Sequence, residues 1–459
     1  MKRRLVSLRL QLCGHKGDFN RYLMKMVQGG PDWEKEMKNK KMKSGGGPIP
    51  EDDSLLLVGP VTLRIIDGKI YLEGQACNGV KRWLDNFTSI IFASPVIPED
   101  LAAKDSTHVW HEVDEFEWRP RVEFVPLPWA YRWRDFVSSY SCSRNILREL
   151  VSRARYPHLS LSGLAGDWAA VAALEARKLG RPYAVHTDRV EFSTLLAKEP
   201  KPTLKRMIKA HIEHPLIKYY QRHIVKSCAV GMWHGLDCYE AYSKWCSNNF
   251  KVDDIHTTAD DFIGEDGLEA KVESVMRDSP LRLIYAGRIS GMKAPLEWVR
   301  AIGCARACGA DIRALWLGAG PMMDETQKLA RDLNLEDVIE FPGFIEDRAR
   351  VLQHLREAHM FVFTHVTPES PRCLIEAFVS GTPIIGYENA YARDLLEGYG
   401  GGEFSGFRHV LGLGRLIAQL ARDRPRLAQL IRQAGNNGAR WNDESVFRHR
   451  SDLLKQHLP

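Results

Sequence analysis

Along this chain, short apolar runs alternate with stretches of helical periodicity, the pattern of a parallel sheet wrapped by helices. Residues 54–58 (Ser-Leu-Leu-Leu-Val), 89–93 (Ser-Ile-Ile-Phe-Ala), 122–125, 159–161, 182–186 and 229–233 read as buried strands of a first sheet, with 229–233 the last. Residues 61–72 read instead as a hairpin turning at Asp67-Gly68, a dipeptide suited to a two-residue turn. Helices are expected from Gly79, over the alanine-rich 164–179, which ends at Gly180, and from Gly235. A second series follows, with strands beginning at Leu281, Ala314, Ile339, Met360 and Pro383 and a helix over 296–307. The pattern predicts two doubly wound α/β domains, 54–262 and 280–440, joined by a crossover linker over 263–279. A final helix over 441–459 can pack back on the first domain. Residues 1–53, rich in lysine and ending in Ser-Gly-Gly-Gly-Pro, read as a flexible basic extension.

Charge sharpens this division. Of the net +6, residues 1–50 supply twelve Lys/Arg against four Asp/Glu, so the remainder is slightly acidic, 6 − 8 = −2. A body of that charge is not a nucleic-acid binder, and no nucleic-acid partner is expected. The exception is 198–226, with eight Lys/Arg and two Glu. There Leu204, Met207, Ile208 and Ile212 mark one helical face beside Lys205, Arg206 and Lys209, and Pro215 interrupts the pattern. Such a stretch fits an anionic membrane surface or equally a solvated basic face. No apolar run is long enough to span a bilayer, and Arg9 breaks the apolar start, so no signal peptide is expected. The nine cysteines lack metal-ligand spacing and read as reduced thiols of a cytoplasmic protein.

The chemistry gathers at residues 367–387. Ser370 is a candidate N-cap, Pro371 suits the first helical position, and Gly381 and Pro383 end a short helix over 371–380. The unbonded N–H groups of Arg372, Cys373 and Leu374 would then point into the crevice beyond the strand ends, where an anion such as a phosphate can sit. Glu376, inside the helix, can accept two hydrogen bonds from a vicinal diol, and Glu369, on the loop, from sugar hydroxyls. Asp167, Trp168, His186 and Asp188 fall at strand ends of the first domain, where Trp168 could stack on a sugar ring or be structural. His186 could hydrogen-bond a donor hydroxyl or help position the acceptor, and His365 competes for that role. Any of these residues alone is more often structural or solvated than functional. Their order along the chain carries the signal.

Glu376-Ala377 and Gly381-Thr382-Pro383 follow a strand running into Gly287-Arg288 and Lys293, then Gly318-Ala-Gly320-Pro321 and Gly343-Phe344. This series resembles the retaining glycosyltransferases of family four, which have the GT-B fold. It covers roughly residues 280–440, and over 54–262 the likeness is one of fold pattern. Six residues separate Glu369 from Glu376 where the family has seven, so the usual position falls on Pro368 and Glu369 stands in by a one-residue slip. The resemblance implies a nucleotide-sugar co-substrate, no further cofactor and no metal, and a glycan or lipid-linked acceptor. It implies that Arg288 and Lys293 bind the diphosphate, with Glu369 and His186 at the reacting sugar. Gly287, Gly318, Gly320, Phe344, Arg372, Cys373, Leu374 and Glu376 would surround the donor. Surface polysaccharide or glycolipid assembly is the implied setting, in the cytoplasm or peripherally on the inner face of the membrane. A non-catalytic sugar-nucleotide-binding protein and, more remotely, a GT-B epimerase are the alternatives.

Overall fold

The computed structural model describes residues 52–103, 108–197, 204–277 and 280–458. The extension read over 1–53 therefore lies almost wholly outside the described residues. The first domain holds β1 (Ser54–Val58), β2 (Leu63–Ile66), β3 (Lys69–Glu73), β4 (Ser89–Pro95), β5 (Trp110–Glu112), β6 (Val122–Leu127), β7 (Tyr156–Ser160), β8 (Ala184–Thr187), β9 (Val230–His234) and β10 (Asn249–Val252). Seven of them form a parallel sheet in the order β10-β9-β8-β7-β1-β4-β6. Chain order reverses between β1 and β7, and there a crevice opens beyond the strand ends. The second domain is built on β11 (Leu281–Ala286), β12 (Ile312–Leu317), β13 (Ile339–Gly343), β14 (Met360–Phe363), β15 (Ile384–Tyr387) and β16 (Gly402–Ser405). These six are parallel in the order β13-β12-β11-β14-β15-β16, with the reversal between β11 and β14. The result is two Rossmann-like halves, as the alternation of strands and helices predicts.

The hairpin turns at Asp67 (φ 48°) and Gly68 (φ 82°), and β5 adds a third antiparallel strand. The helix expected from Gly79 begins at Gly74, because the Glu73 side chain accepts the Ala76 N–H at 3.1 Å and caps it there. Strand β10 makes 229–233 the penultimate strand; with Val252 its one buried side chain, it offers little hydrophobic signal. Pro215 does not interrupt its helix, which runs unbroken over Leu204–Val225.

Residues 263–279, expected as a linker, are mostly the helix Gly264–Arg277, whose Leu268, Val272 and Val275 enter the second core. Their spacing of four and three was a helical stripe obscured by flanking acidic residues. Lys271, on the same face, is buried and donates to the Leu355 carbonyl (3.1 Å), the Ser380 carbonyl (2.9 Å) and the Thr382 hydroxyl. Those carbonyls lie at helix C-terminal ends, where the backbone's partial negative charge favours a cation.

The last helix, Asp443–His457, crosses to the first domain, where Phe447 meets the Trp83 ring edge-on at 5.1 Å and Leu454 enters the core. A second contact joins the halves at the cleft. Ser370 donates to the His234 carbonyl at 2.7 Å, and the Val190 N–H approaches the Pro368 carbonyl at 3.5 Å. Gly235 is required there: its φ is +73°, and a Cβ would lie 2.4 Å from the Ser370 hydroxyl and 2.6 Å from the Tyr391 ring.

Candidate active site

Two loops at the strand reversal of the second domain build the site. Thr364, just past β14, donates from its hydroxyl to the Lys293 carbonyl at 2.8 Å, and the Val366 N–H donates to the Met292 carbonyl at 3.0 Å. Ala294, left-handed at φ 45°, turns the chain into the helix Pro295–Ala307. The loops are thereby zipped together, and Lys293 Nζ comes to 2.7 Å from Glu369 Oε1, both residues largely buried. Cys373 lies within electrostatic reach of Lys293, Glu376 and Glu369; burial, against Lys293, pushes its thiol up to about 12. Cys373 thus stands within electrostatic reach of three other residues singled out from the sequence.

Gly287 (φ 155°) and Gly318 (φ 145°) let the loops after β11 and β12 cross, since a Cβ on Gly318 would stand 2.1 Å from the Gly287 carbonyl oxygen. A Cβ on Gly320 would likewise stand 2.3 Å from the Ile289 carbonyl oxygen. These glycines shape the floor of the site. Phe344, past β13, is 39% exposed and available for contact.

Several residues occupy other positions than expected. Ser370 caps no helix, its hydroxyl being engaged across the domain contact; the helix is Cys373–Val379 and starts two residues later than predicted. The Leu374 N–H already bonds the Pro371 carbonyl at 3.2 Å, so Leu374 is withdrawn from the anion site. Asp167 is a buried N-cap, accepting from Ala170 and Ser162 N–H groups at 2.9 Å each. Trp168 is 2% exposed with its indole N–H on the Pro128 carbonyl, so it stacks on no ligand. His365 is buried, with its Nε2 bonded to the Tyr285 hydroxyl at 2.7 Å.

Sequence reading missed Arg348. Its guanidinium lies 3.0 Å from Glu376 and 3.3 Å from Asp261, holding the carboxylate intended for a diol. No local pattern marks a residue whose partners are 28 and 87 positions away.

Between the domains lies a cavity of about 480 Å³. Gly59, Ser160, His186 and Asp188 line it from the first domain, and Arg288 and Arg372 from the second. His158 and His186 face it almost fully buried, and both His158 nitrogens and His186 Nε2 have no hydrogen-bond partner among the described residues. Burial, with the nearby Arg450 charge, holds the His186 imidazole well below its ordinary pKa, and His158 is pushed down to about 3. Burial alone would raise the Asp254 carboxyl, yet Arg450 at 2.8 Å, His256 and Arg372 hold it well below the usual range. The cavity lining therefore combines two neutral histidines with the Asp254 carboxylate and the charges of Arg288, Arg372 and Arg450. Among the described residues, no three His, Cys, Asp or Glu side chains stand together to hold a metal.

Residues 268–437 match the family model described as Glycosyl transferases group 1. WcaL of Salmonella typhimurium, named for a glycosyltransferase of colanic acid biosynthesis, is 27% identical over 184 residues, 38% of this chain and 45% of that protein. The chain thus spans under half the length of this curated relative. Sucrose-phosphate synthase from Thermosynechococcus elongatus has the same fold, with TM-score 0.62 at 13% identity over 88% of this chain and 98% of that one. HepE of Anabaena, solved in complex with UDP, gives 0.59 at 12% identity over 88% and 100%. Residues 268–437 are thus similar to the glycosyl transferases group 1, and the two halves of the chain have the GT-B fold.

Proposed function

We propose that the chain transfers a sugar from a nucleoside diphosphate to a hydroxyl acceptor, with retention of anomeric configuration, in the assembly of a polysaccharide or glycolipid. The observation that carries this reading is the Lys293–Glu369 pair, held by zipped loops at the strand reversal of a group 1 domain. As the glycosidic bond breaks, positive charge grows on the sugar ring and negative charge on the departing diphosphate. Fixed cations at the diphosphate stabilise that state more than the ground state. Arg288 and Lys293 take this role, Arg with a planar fork and Lys as a mobile point charge, and Arg372 adds to the field. With them, no protein-bound divalent metal is required.

Glu369 then turns from Lys293 to the hydroxyls of the transferred sugar, and Glu376, oriented by Arg348, holds the ribose diol. The acceptor enters the cavity of about 480 Å³ from the first-domain side. His186, held neutral far below its ordinary pKa, is a weak base, so it orients a hydroxyl rather than removing a proton. The nucleotide is supported by HepE, which is solved with UDP, and the polysaccharide setting by WcaL.

Trp133 and Val137 on one helix, with Tyr131 just before it, and Ile212, Leu216 and Tyr219 on another are exposed, with Arg132 and Arg134 beside the first group. Aromatic, aliphatic and basic side chains of this kind suit an anionic membrane surface carrying a lipid-linked acceptor. Among the described residues, no helix is long and apolar enough to cross a membrane.

Calorimetry of the purified chain with UDP, GDP and ADP tests the donor site. One diphosphate binding with clear preference, in EDTA as in Mg²⁺, is the expected result; no binding of any would refute the reading.

A further inference from the structure

Outside the cleft, two pairs of thiols stand in contact among the described residues, Cys304 with Cys308 and Cys228 with Cys246. Cys228 precedes β9 and Cys246 follows the turn Ser243–Trp245, and their sulfurs lie 3.4 Å apart. Both are free thiols and half-exposed, and Lys226, Ser227, Ser247 and Asn248 around them are exposed to solvent. We infer that Cys228 and Cys246 form a modification site that takes a low-molecular-weight disulfide as oxidant and closes into an intramolecular disulfide.

The two sulfurs are chemically unequal. Cys228 donates its S–H to Cys246, which, with the backbone N–H groups of Asn248, Gly231 and Ser247, brings the Cys246 thiol down to about 7 against the effect of burial. Cys228 is pushed up by that same hydrogen bond and by burial. Burial pushes up Cys77, Cys142, Cys238 and Cys373 as well. The thiolate is the nucleophile in exchange, so Cys246 attacks first. It forms a mixed disulfide with one half of the oxidant and releases the other half as a thiolate. Cys228, giving its proton to solvent, then attacks the Cys246 sulfur and expels the second half. Two protein thiols are oxidised and one small disulfide is reduced to two thiols.

The bond would span β9 and the helix Gly235–Tyr242, the element whose first residue touches Ser370. It closes a loop of 18 residues' separation and so restricts the unfolded chain.

The test treats the folded, full-length chain with oxidised glutathione and maps its peptides without reduction. The expected result is a Cys228–Cys246 linkage in the wild type, reversed by dithiothreitol, with a raised unfolding temperature. Cys228→Ser should stop at a glutathione adduct on Cys246, and Cys246→Ser should carry no adduct at position 228. If either variant fails to fold by circular dichroism, the wild-type map decides alone. Glutathione accumulating on Cys246 without closure, or reacting first at the exposed Cys142, would overturn the inference.

Discussion

Lys293 and Glu369, 76 residues apart in the chain, meet at 2.7 Å at the mouth of the β11–β14 reversal. Two largely buried opposite charges in such contact are stable only while they satisfy each other or a ligand. Under the proposed function the pair is a placeholder that a donor's phosphate and sugar hydroxyls would replace. Glu369→Gln keeps the shape and removes the charge. It is expected to slow turnover or alter sugar choice while leaving the affinity for free nucleoside diphosphate within about two-fold, under 1 kcal/mol. Parallel calorimetry and turnover assays would expose the opposite pattern.

Glu376 should behave differently. Hydrogen bonds to a charged acceptor contribute roughly 1.5–3 kcal/mol, so Glu376→Gln is expected to weaken nucleoside diphosphate binding by about ten-fold or more. Arg348→Ala, which removes only the orienting group 3.0 Å away, should cost less. A Glu376→Gln protein that binds the diphosphate at wild-type strength would move the diol contact elsewhere.

These two glutamates show what the sequence makes legible. Glu376, Gly381 and Pro383 belong to one continuous stretch whose helix end and strand follow from local rules, and the structure has them there. Arg348 reaches Glu376 from the start of another helix, and Ser370 exchanges a helix cap for the His234 carbonyl of the other domain. Both outcomes depend on the tertiary approach of distant segments, which no local propensity encodes. Lys271 is the same lesson in the core: a lysine in an acidic stretch reads as solvated until two helix ends converge on it.

The domain contact is testable through Gly235. Alanine there must adopt φ near +73° and place a methyl 2.4 Å from the Ser370 hydroxyl. Strain and overpacking together should cost about 2 kcal/mol or more, read as a lower urea midpoint. Ser370→Ala, which removes one hydrogen bond, is expected to cost about 1 kcal/mol. Equal midpoints for Gly235→Ala and the wild type would show that the halves do not meet as described.

His158 gives a pH signature with a definite sign. Folded, it titrates near pH 3 because burial and Arg450 disfavour the cation, whereas an unfolded imidazole titrates at about 6.5. Below pH 6.5 the unfolded chain takes up a proton that the folded one refuses, so this contribution to stability is full above that pH and lost as pH falls. Relative to His158→Gln, the wild type should lose about 1.4 kcal/mol for each pH unit between about 6 and 4. Urea unfolding of both proteins at pH 7, 6, 5 and 4 checks it; a difference that does not change with pH would contradict a buried neutral imidazole.

The most direct test of the central claim is nucleoside diphosphate release from a panel of nucleotide sugars, by the wild type and by Lys293→Ala. The account predicts slow hydrolysis or transfer from at least one donor by the wild type. It predicts a fall of about 100-fold or more in the variant at unchanged circular dichroism, since a charge aimed at the departing diphosphate is lost. Equal rates in the two proteins, or no release from any donor, would contradict it.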